Sequence, residues 1–218
     1  HYIRSIMGTL TGEDKERFDK FRHLFTTGNP TEFYSYTKDY AAYLKKRGDM
    51  NLYYKLKNNE GFYALRHGQI LQAMDYAQQL DKEVRQNKDQ EFYYLPVGLM
   101  GDIYYESHDM RKAEKFFLQA LDEVGDSDPK FTMRTYMSLG EMLALKNPEK
   151  ALQWYDKSIQ KAQDTNNMEY LSMSVAMEGY IYFLSGDAEN FYRIYDEYDD
   201  LRKSGDPDFS KRYNNMME

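Results

Sequence analysis

Histidine is the side chain best suited to metal binding or proton transfer at neutral pH. The sequence has four histidines, His1, His23, His67 and His108. Zinc needs ligands at close spacing, as in His-Glu-x-x-His, and no two of these residues have such a spacing. His67 and His108 also fall at corresponding places in a repeat pattern, in turns where polar residues are expected. We therefore predict surface positions for these histidines and no metal site.

Clustered carboxylates are the second group that could do chemistry. Residues 122–123 and 196–200 could supply an acid and a base if two carboxyls were buried together, but on a helix most of them point to solvent. Residues 126–128 resemble the opening of a calcium loop that lacks its glycine and closing glutamate. The chain has no cysteine, which excludes thiolate zinc sites and cysteine nucleophiles. We therefore predict no catalytic residue, no cofactor and no enzyme activity.

Composition narrows the classes of partner. The 218 residues carry a net charge of −7, with 30% charged and 16% aromatic residues. Nucleic-acid binding usually requires a basic patch, and here the lysines and arginines are interspersed with acids, so we expect no nucleic-acid partner. No apolar run is long enough for a membrane span, and no signal peptide is visible. Because the chain begins at His1 rather than methionine, we expect it to be a segment of a longer protein.

Four glycines recur at a nearly fixed interval and indicate the elements that organise the chain. Gly61, Gly101, Gly140 and Gly179 are spaced 40, 39 and 39 residues apart. A fixed period of this size is typical of an array of identical supersecondary units. In each unit, the glycine and an apolar residue about three positions later share one helical face.

A second helical pattern follows about twelve residues after each glycine. It opens on a small residue, Ala73, Ala113 or Ala151, whereas the fifth unit has Phe191 there. Each unit therefore reads as two antiparallel helices, A and B. The small residues would allow close approach, and large apolar residues would fill the space between units.

This pattern resembles the tetratricopeptide repeat (TPR) family, with Met100-Gly101, Tyr104, Ala113, Phe117 and Ala120 as its best match. The resemblance covers roughly residues 50–204. The period exceeds the usual 34 residues and is similar to the extended repeats of kinesin light chains and many bacterial regulators. The tryptophan often found early in the repeat is absent. The resemblance implies an all-α, right-handed α-solenoid of about five hairpins with a C-terminal capping helix.

The proline pattern supports the same division. Asn29-Pro30, Asp128-Pro129, Asn147-Pro148 and Asp206-Pro207 each read as an N-cap followed by proline in the first helical turn. We predict a lead-in over residues 1–12 and a single superhelical domain over 13–218. Its predicted units are 13–47, 50–87, 89–124, 129–164 and 167–204, with a cap at 207–216. The A helices predicted for the third and fourth units run over residues 89–107 and 129–145.

The resemblance also implies a binding surface, because TPR proteins hold peptides or partner proteins in a concave groove lined by the A helices. Aromatic side chains with a few fixed charges are typical of such a surface. The positions that would face inward are Asn58, Phe62, Arg66, Asp102, Tyr105, Glu106, Arg134, Met137, Glu141, Tyr180 and Phe183. Chaperone-tail binding is disfavoured, since the positions of a carboxylate clamp hold Phe62, Leu99 and Ser138.

Three functions are compatible with this pattern. The first is a non-catalytic sensory region of a larger signal-transduction protein, such as a two-component histidine kinase, placed outside the cytoplasm. The second is a free-standing cytoplasmic scaffold or adaptor that binds a partner protein through the same groove. The third is an accessory domain that presents substrate to a catalytic module elsewhere. A homodimer is compatible with all three.

Overall fold

The computed structural model of the chain describes residues 12–199 and Lys203. This part of the chain forms ten α-helices, one short 3-10 helix and no strand. In chain order they are α1 Gly12–Thr27, α2 Pro30–Arg47, α3 Met50–Arg66, α4 Ile70–Gln86, the 3-10 helix Gln90–Phe92, α5 Tyr94–Glu106, α6 Met110–Val124, α7 Pro129–Leu143, α8 Pro148–Asp164, α9 Met168–Leu184 and α10 Ala188–Glu197. The predicted all-α fold is confirmed. Most of the predicted lead-in, and the predicted cap at 207–216, lie outside the described residues.

The helix starts follow the asparagine and aspartate caps. The side chain of Asn29 accepts from the backbone N–H of Glu32 at 2.9 Å, and that of Asp128 accepts from Phe131 at 3.0 Å. Asn147 makes the same bond at the start of α8. Each of these bonds satisfies one of the backbone donors that a helix leaves unpaired at its first turn.

One predicted helix is divided. The pattern predicts a single helix over residues 89–107, whereas the chain forms the 3-10 helix Gln90–Phe92 and then starts α5 at Tyr94. This break places Pro96 in the first turn of α5. Proline is tolerated there because backbone N–H groups in the first turn have no helical partner.

The helices form five consecutive hairpins, as predicted, and these fall into two compact units, His1–Val124 and Gly125–Glu218. In the first unit, α3 packs on α4, α5 packs on α6, and the A helices α3 and α5 touch each other. In the second unit, α7 packs on α8, α9 packs on both α8 and α10, and α7 touches α9. That all five hairpins belong to one continuous domain remains a prediction.

Three of the four repeat glycines, Gly61, Gly101 and Gly140, lie where another residue occupies the space of a side chain. A Cβ atom on Gly101 would be 2.6 Å from the ring of Phe117, and one on Gly140 would be 2.7 Å from the ring of Tyr155. A Cβ on Gly61 would collide with Leu99 of the next A helix. The predicted close approach is therefore real, but at Gly101 and Gly140 it is made by an aromatic ring of helix B rather than by its backbone.

The first hairpin has no repeat glycine and is held by aromatic rings. Phe33 of α2 stacks on Tyr63 of α3 with ring centroids 3.8 Å apart, and His67 stacks on the same tyrosine at 4.1 Å. The Tyr63 hydroxyl donates to the carbonyl of Gly28 at 2.8 Å. Tyr63 is thus fully buried while its one polar atom keeps a partner.

The single tryptophan lies in a B helix of the second compact unit, as the sequence indicates. Trp154 of α8 stacks on Tyr136 of α7 with ring centroids 5.7 Å apart and planes 28° apart. Lys157, one turn later, places its ammonium 4.6 Å from the indole. Tyr136 precedes Gly140 by four residues on the same face of α7, so this stack adds a second contact between α7 and α8 one turn before the glycine.

Candidate binding groove

The predicted groove residues of α3 form one stripe along that helix. Asn58, Phe62 and Arg66 follow each other at four-residue intervals, which keeps them on one helical face. Asn58 is only 8% exposed, Phe62 is half-buried, and Arg66 is exposed. Phe62 packs against a core that includes Leu99 of α5, so the stripe lies at the junction of two A helices.

The neighbouring helix α5 supplies Asp102, Tyr105 and Glu106. Asp102 and Tyr105 are half-buried, and Glu106 is exposed at the end of the helix. Because α3 and α5 are in contact, the first compact unit presents aromatic, amide and charged side chains from two adjacent A helices.

The sequence pattern assigned no groove residue to the first hairpin, but the structure adds Phe25 of α1. The guanidinium of Arg66 lies 5.1 Å from the centroid of the Phe25 ring, a cation–π contact. No glycine marks the register of α1, so only the contact with Arg66 could identify this residue.

The second compact unit carries the remaining predicted residues. On α7, Arg134 and Met137 are half-buried and Glu141 is exposed. Met137 packs against a core that includes Ile181 of α9, at the junction of these two A helices. On α9, Tyr180 and Phe183 are 41% and 56% exposed, which is high for large apolar rings.

A buried carboxyl group lies on α9 immediately before Gly179, at a place that the sequence analysis did not single out. Glu178 is 5% exposed, and its Oε2 has no hydrogen-bond partner. Burial, followed by the charge and hydrogen bond of Asp156 on α8, raises the pKa of Glu178 to about 8. Arg193 of α10 opposes this shift. Burial and the neighbouring Asp156 therefore favour the protonated form of the Glu178 carboxyl.

The equivalent position in the second repeat also holds a buried carboxyl group, but there a lysine pairs with it. Glu60 precedes Gly61 and is 3% exposed, but its carboxylate pairs with Lys57 one turn earlier at 2.7 Å. Val175 occupies the place of that lysine before Glu178. Helix α9 carries no lysine or arginine, so Glu178 faces the acids Asp156 and Glu197 and the hydroxyl of Tyr182. Among the described residues that act on its pKa, Arg193 of α10 is the one base.

We expect Glu178→Gln to change how stability depends on pH. A carboxyl whose folded pKa is raised from 4.5 to about 8 stabilises the fold fully below pH 4.5, and that contribution is lost as pH rises to about 8. Glutamine mimics the neutral form at every pH. In urea titrations, the variant should match the parent at pH 5 and exceed its free energy of unfolding by more than about 1 kcal/mol at pH 8.

Glu189→Gln is the matched control, because Glu189 is exposed at the start of α10. It should leave the pH dependence unchanged. Equal slopes for the parent and Glu178→Gln between pH 5 and 8 would show that Glu178 is ionised in the folded protein.

The histidines lie in turns or at the surface wherever the structure describes them. His23, His67 and His108 are exposed, and the Nδ1–H of His67 donates a hydrogen bond to the backbone carbonyl of Tyr63 at 2.8 Å. Within residues 12–199, histidines and carboxylates nowhere gather into a group of three that could hold a metal ion.

The helices described for this chain include none long and apolar enough to cross a membrane.

Comparison with known proteins supports the fold. No protein-family model matches the sequence, and no curated protein matches it. Among solved structures, the chain is similar to the TPR-like repeats of a Podosopora anserina kinesin light chain, with a TM-score of 0.63 and 10% identity over 87% of this chain and 94% of the other. It is also similar to BtubC from P. vanneervenii, with a TM-score of 0.62 and 14% identity over 87% of this chain and 88% of the other. At these identities the likeness shows a TPR-like fold alone.

Proposed function

We propose that this chain is a non-catalytic domain that binds a protein or peptide along the exposed stripes of its A helices. In the first compact unit the stripes belong to α3 and α5, and in the second to α7 and α9. They combine rings that can cover an apolar side chain with acids and bases that can fix its orientation, which is the usual composition of a peptide site.

One observation carries the proposal. Tyr180 and Phe183 lie three residues apart on one face of the A helix α9, and they are 41% and 56% exposed. Large apolar rings left open to solvent side by side are typical of an interaction surface. A peptide laid along α9 would cover both rings.

Two substitutions test the stripes in the two compact units separately. We expect Tyr105→Ala and Arg134→Ala each to weaken binding of a peptide selected from a random library by about tenfold, because each removes a large contact at the proposed site. Helical content by circular dichroism should stay unchanged. The affinity is measured by calorimetry with the full chain.

Leu118→Ala serves as the control, since Leu118 is 42% exposed on the B helix α6. It should bind as the parent does. If both stripe variants keep the parent affinity for every selected peptide, the assigned lining is wrong.

At a finer level, we propose that the domain is the extracytoplasmic sensory region of a larger signalling protein, such as a two-component histidine kinase. The long repeat period, the abundance of aromatic residues and the lack of cysteine support this. Sequencing the gene beyond the codon for Glu218 tests it: a hydrophobic span followed by a kinase module is expected. A gene that encodes neither would favour the cytoplasmic adaptor, which should then bring down one stoichiometric partner from cytosol.

A further inference from the structure

An aromatic cavity lies at the turn that joins α9 to α10. Its volume is about 310 Å³, and its walls include Tyr182, Phe183, Phe191 and Tyr192. This volume is at the lower end of the range of small-ligand sites, which suits a single side chain or a small organic group. The cavity is formed entirely by the fifth hairpin.

The rings of this cavity are unusually open to solvent. Phe183 is 56% exposed and Tyr192 is 57% exposed. Phe191 joins them, with its ring centroid 6.1 Å from that of Phe183 and 5.5 Å from that of Tyr192, at an interplanar angle of 76°. Three rings at inclined angles present both faces and edges to a ligand, and a cation favours the faces.

A carboxylate completes the wall. Asp187 lines the cavity, and hydrogen bonds from Asn190 hold the pKa of Asp187 below its usual value. The hairpin as a whole is acidic, since residues 168–199 contain seven acids and a single base, Arg193. The guanidinium of Arg193 is engaged with Glu197 at 3.1 Å and with Asn190 at 3.0 Å.

Several half-buried aromatic rings elsewhere in the chain have a cation of their own. Arg85 lies 4.4 Å from the centroid of the Tyr93 ring, and Lys112 lies 5.2 Å from that of Tyr104. The ammonium of Lys157 lies 4.6 Å from the centroid of the Trp154 ring. By contrast, no lysine or arginine among the described residues lies over Phe183, Phe191 or Tyr192 in the fifth hairpin. Within the described part of the chain, the three rings therefore have no cation of their own, and Asp187 supplies a negative charge beside them. Each carboxylate oxygen of Asp187 already accepts one hydrogen bond from Asn190, and the charge of Arg193 also lowers its pKa.

We propose that this cavity binds an arginine side chain of a partner protein, with the guanidinium stacked on Phe183, Phe191 or Tyr192 and its charge facing Asp187. Arginine fits better than lysine because its planar group stacks on aromatic faces and sheds water more easily. The site depends on the fifth hairpin alone. It shares only Phe183 with the proposed groove and does not require that groove to bind a peptide.

The test titrates the full chain with a short acetylated and amidated peptide that contains three arginines separated by glycines. The comparison peptide replaces each arginine with citrulline, which keeps the shape and removes the charge. We expect the arginine peptide to bind at least tenfold more tightly. Tyr192→Ala and Asp187→Asn should each weaken it about three- to tenfold, in calorimetry at low salt. Asparagine is itself a good N-cap, so Asp187→Asn keeps α10 intact.

Controls separate this site from the groove and from general loss of apolar surface. Leu145→Ala removes an 83% exposed side chain of the same compact unit, and Tyr105→Ala alters the groove. Both should bind the arginine peptide as the parent does. Loss of groove binding in Tyr105→Ala with intact arginine binding would leave this proposal standing, whereas loss of arginine binding in Tyr105→Ala would show that the arginine peptide binds in the groove instead.

Two results would overturn the proposal. Equal affinity for the arginine and citrulline peptides, or unchanged affinity in both Tyr192→Ala and Asp187→Asn, would show that the cavity does not recognise a cation. The sequence after α10 contains Lys211 and Arg212. If a Lys211→Ala/Arg212→Ala variant of the full chain binds the arginine peptide more than threefold more tightly, the chain's own segment is the occupant rather than a partner.

Discussion

Gly101→Leu should lower the free energy of unfolding by about 3 kcal/mol or more, because it forces a side chain into space that Phe117 fills. A Cβ atom alone would lie 2.6 Å from the Phe117 ring, and that ring is only 1% exposed. Leucine favours the helical backbone over glycine by no more than about 1 kcal/mol. The clash with Phe117 therefore outweighs the gain in helix propensity, and the variant should be less stable than the parent. Urea denaturation followed by circular dichroism measures the effect.

A double variant shows whether the cause is this contact. Phe117→Leu removes the ring, so the combination of Gly101→Ala with Phe117→Leu should be less destabilised than the sum of the two single changes. Additive losses, or a melting temperature for Gly101→Leu equal to that of the parent, would mean that helix A and helix B do not meet at this glycine.

Tyr63→Ala should cost about 3–5 kcal/mol, the usual range for deleting a large buried aromatic side chain. Tyr63 joins the first two hairpins, since it stacks on Phe33 at 3.8 Å and also contacts His67. Tyr63→Phe keeps the ring and removes the hydroxyl that donates to Gly28. It should cost only about 1 kcal/mol, the net value of one hydrogen bond.

Tyr192→Ala provides the comparison, because Tyr192 is 57% exposed. Its free energy of unfolding should stay within about 0.5 kcal/mol of the parent. If Tyr63→Ala costs no more than Tyr192→Ala, the aromatic stack is not what holds the first hairpin. Thermal and urea unfolding of the three variants together distinguish these results.

Local signals predicted most of the helix pattern. The Asn-Pro and Asp-Pro pairs predicted the starts of α2, α7 and α8, because a capping side chain and a proline act within a single turn. The end of a helix is less constrained by sequence. The helix predicted over 129–145 ends at Leu143, and the turn over residues 144–146 leads directly into Asn147.

Long-range side-chain contacts could not be predicted in the same way. Helical periodicity predicted that Asn58 lies on the groove face. It could not predict how deeply the side chain is buried, because burial depends on the neighbouring helix α5. The pairing of Glu178 with Asp156 joins two helices, and nothing at either position marks it in the sequence. The cavity beside Tyr192 likewise requires the turn geometry of α9 and α10. That the eleven assigned residues line a functional groove stays a prediction.

The stacked indole of Trp154 has a practical consequence. It is the only tryptophan in the chain, and it belongs to the compact unit Gly125–Glu218. Selective excitation of its fluorescence thus gives a built-in optical reporter of that unit, whereas circular dichroism sums over every helix. Coincident curves from the two signals would indicate a single cooperative transition, and displaced curves would reveal a partly folded species in which one unit has melted first.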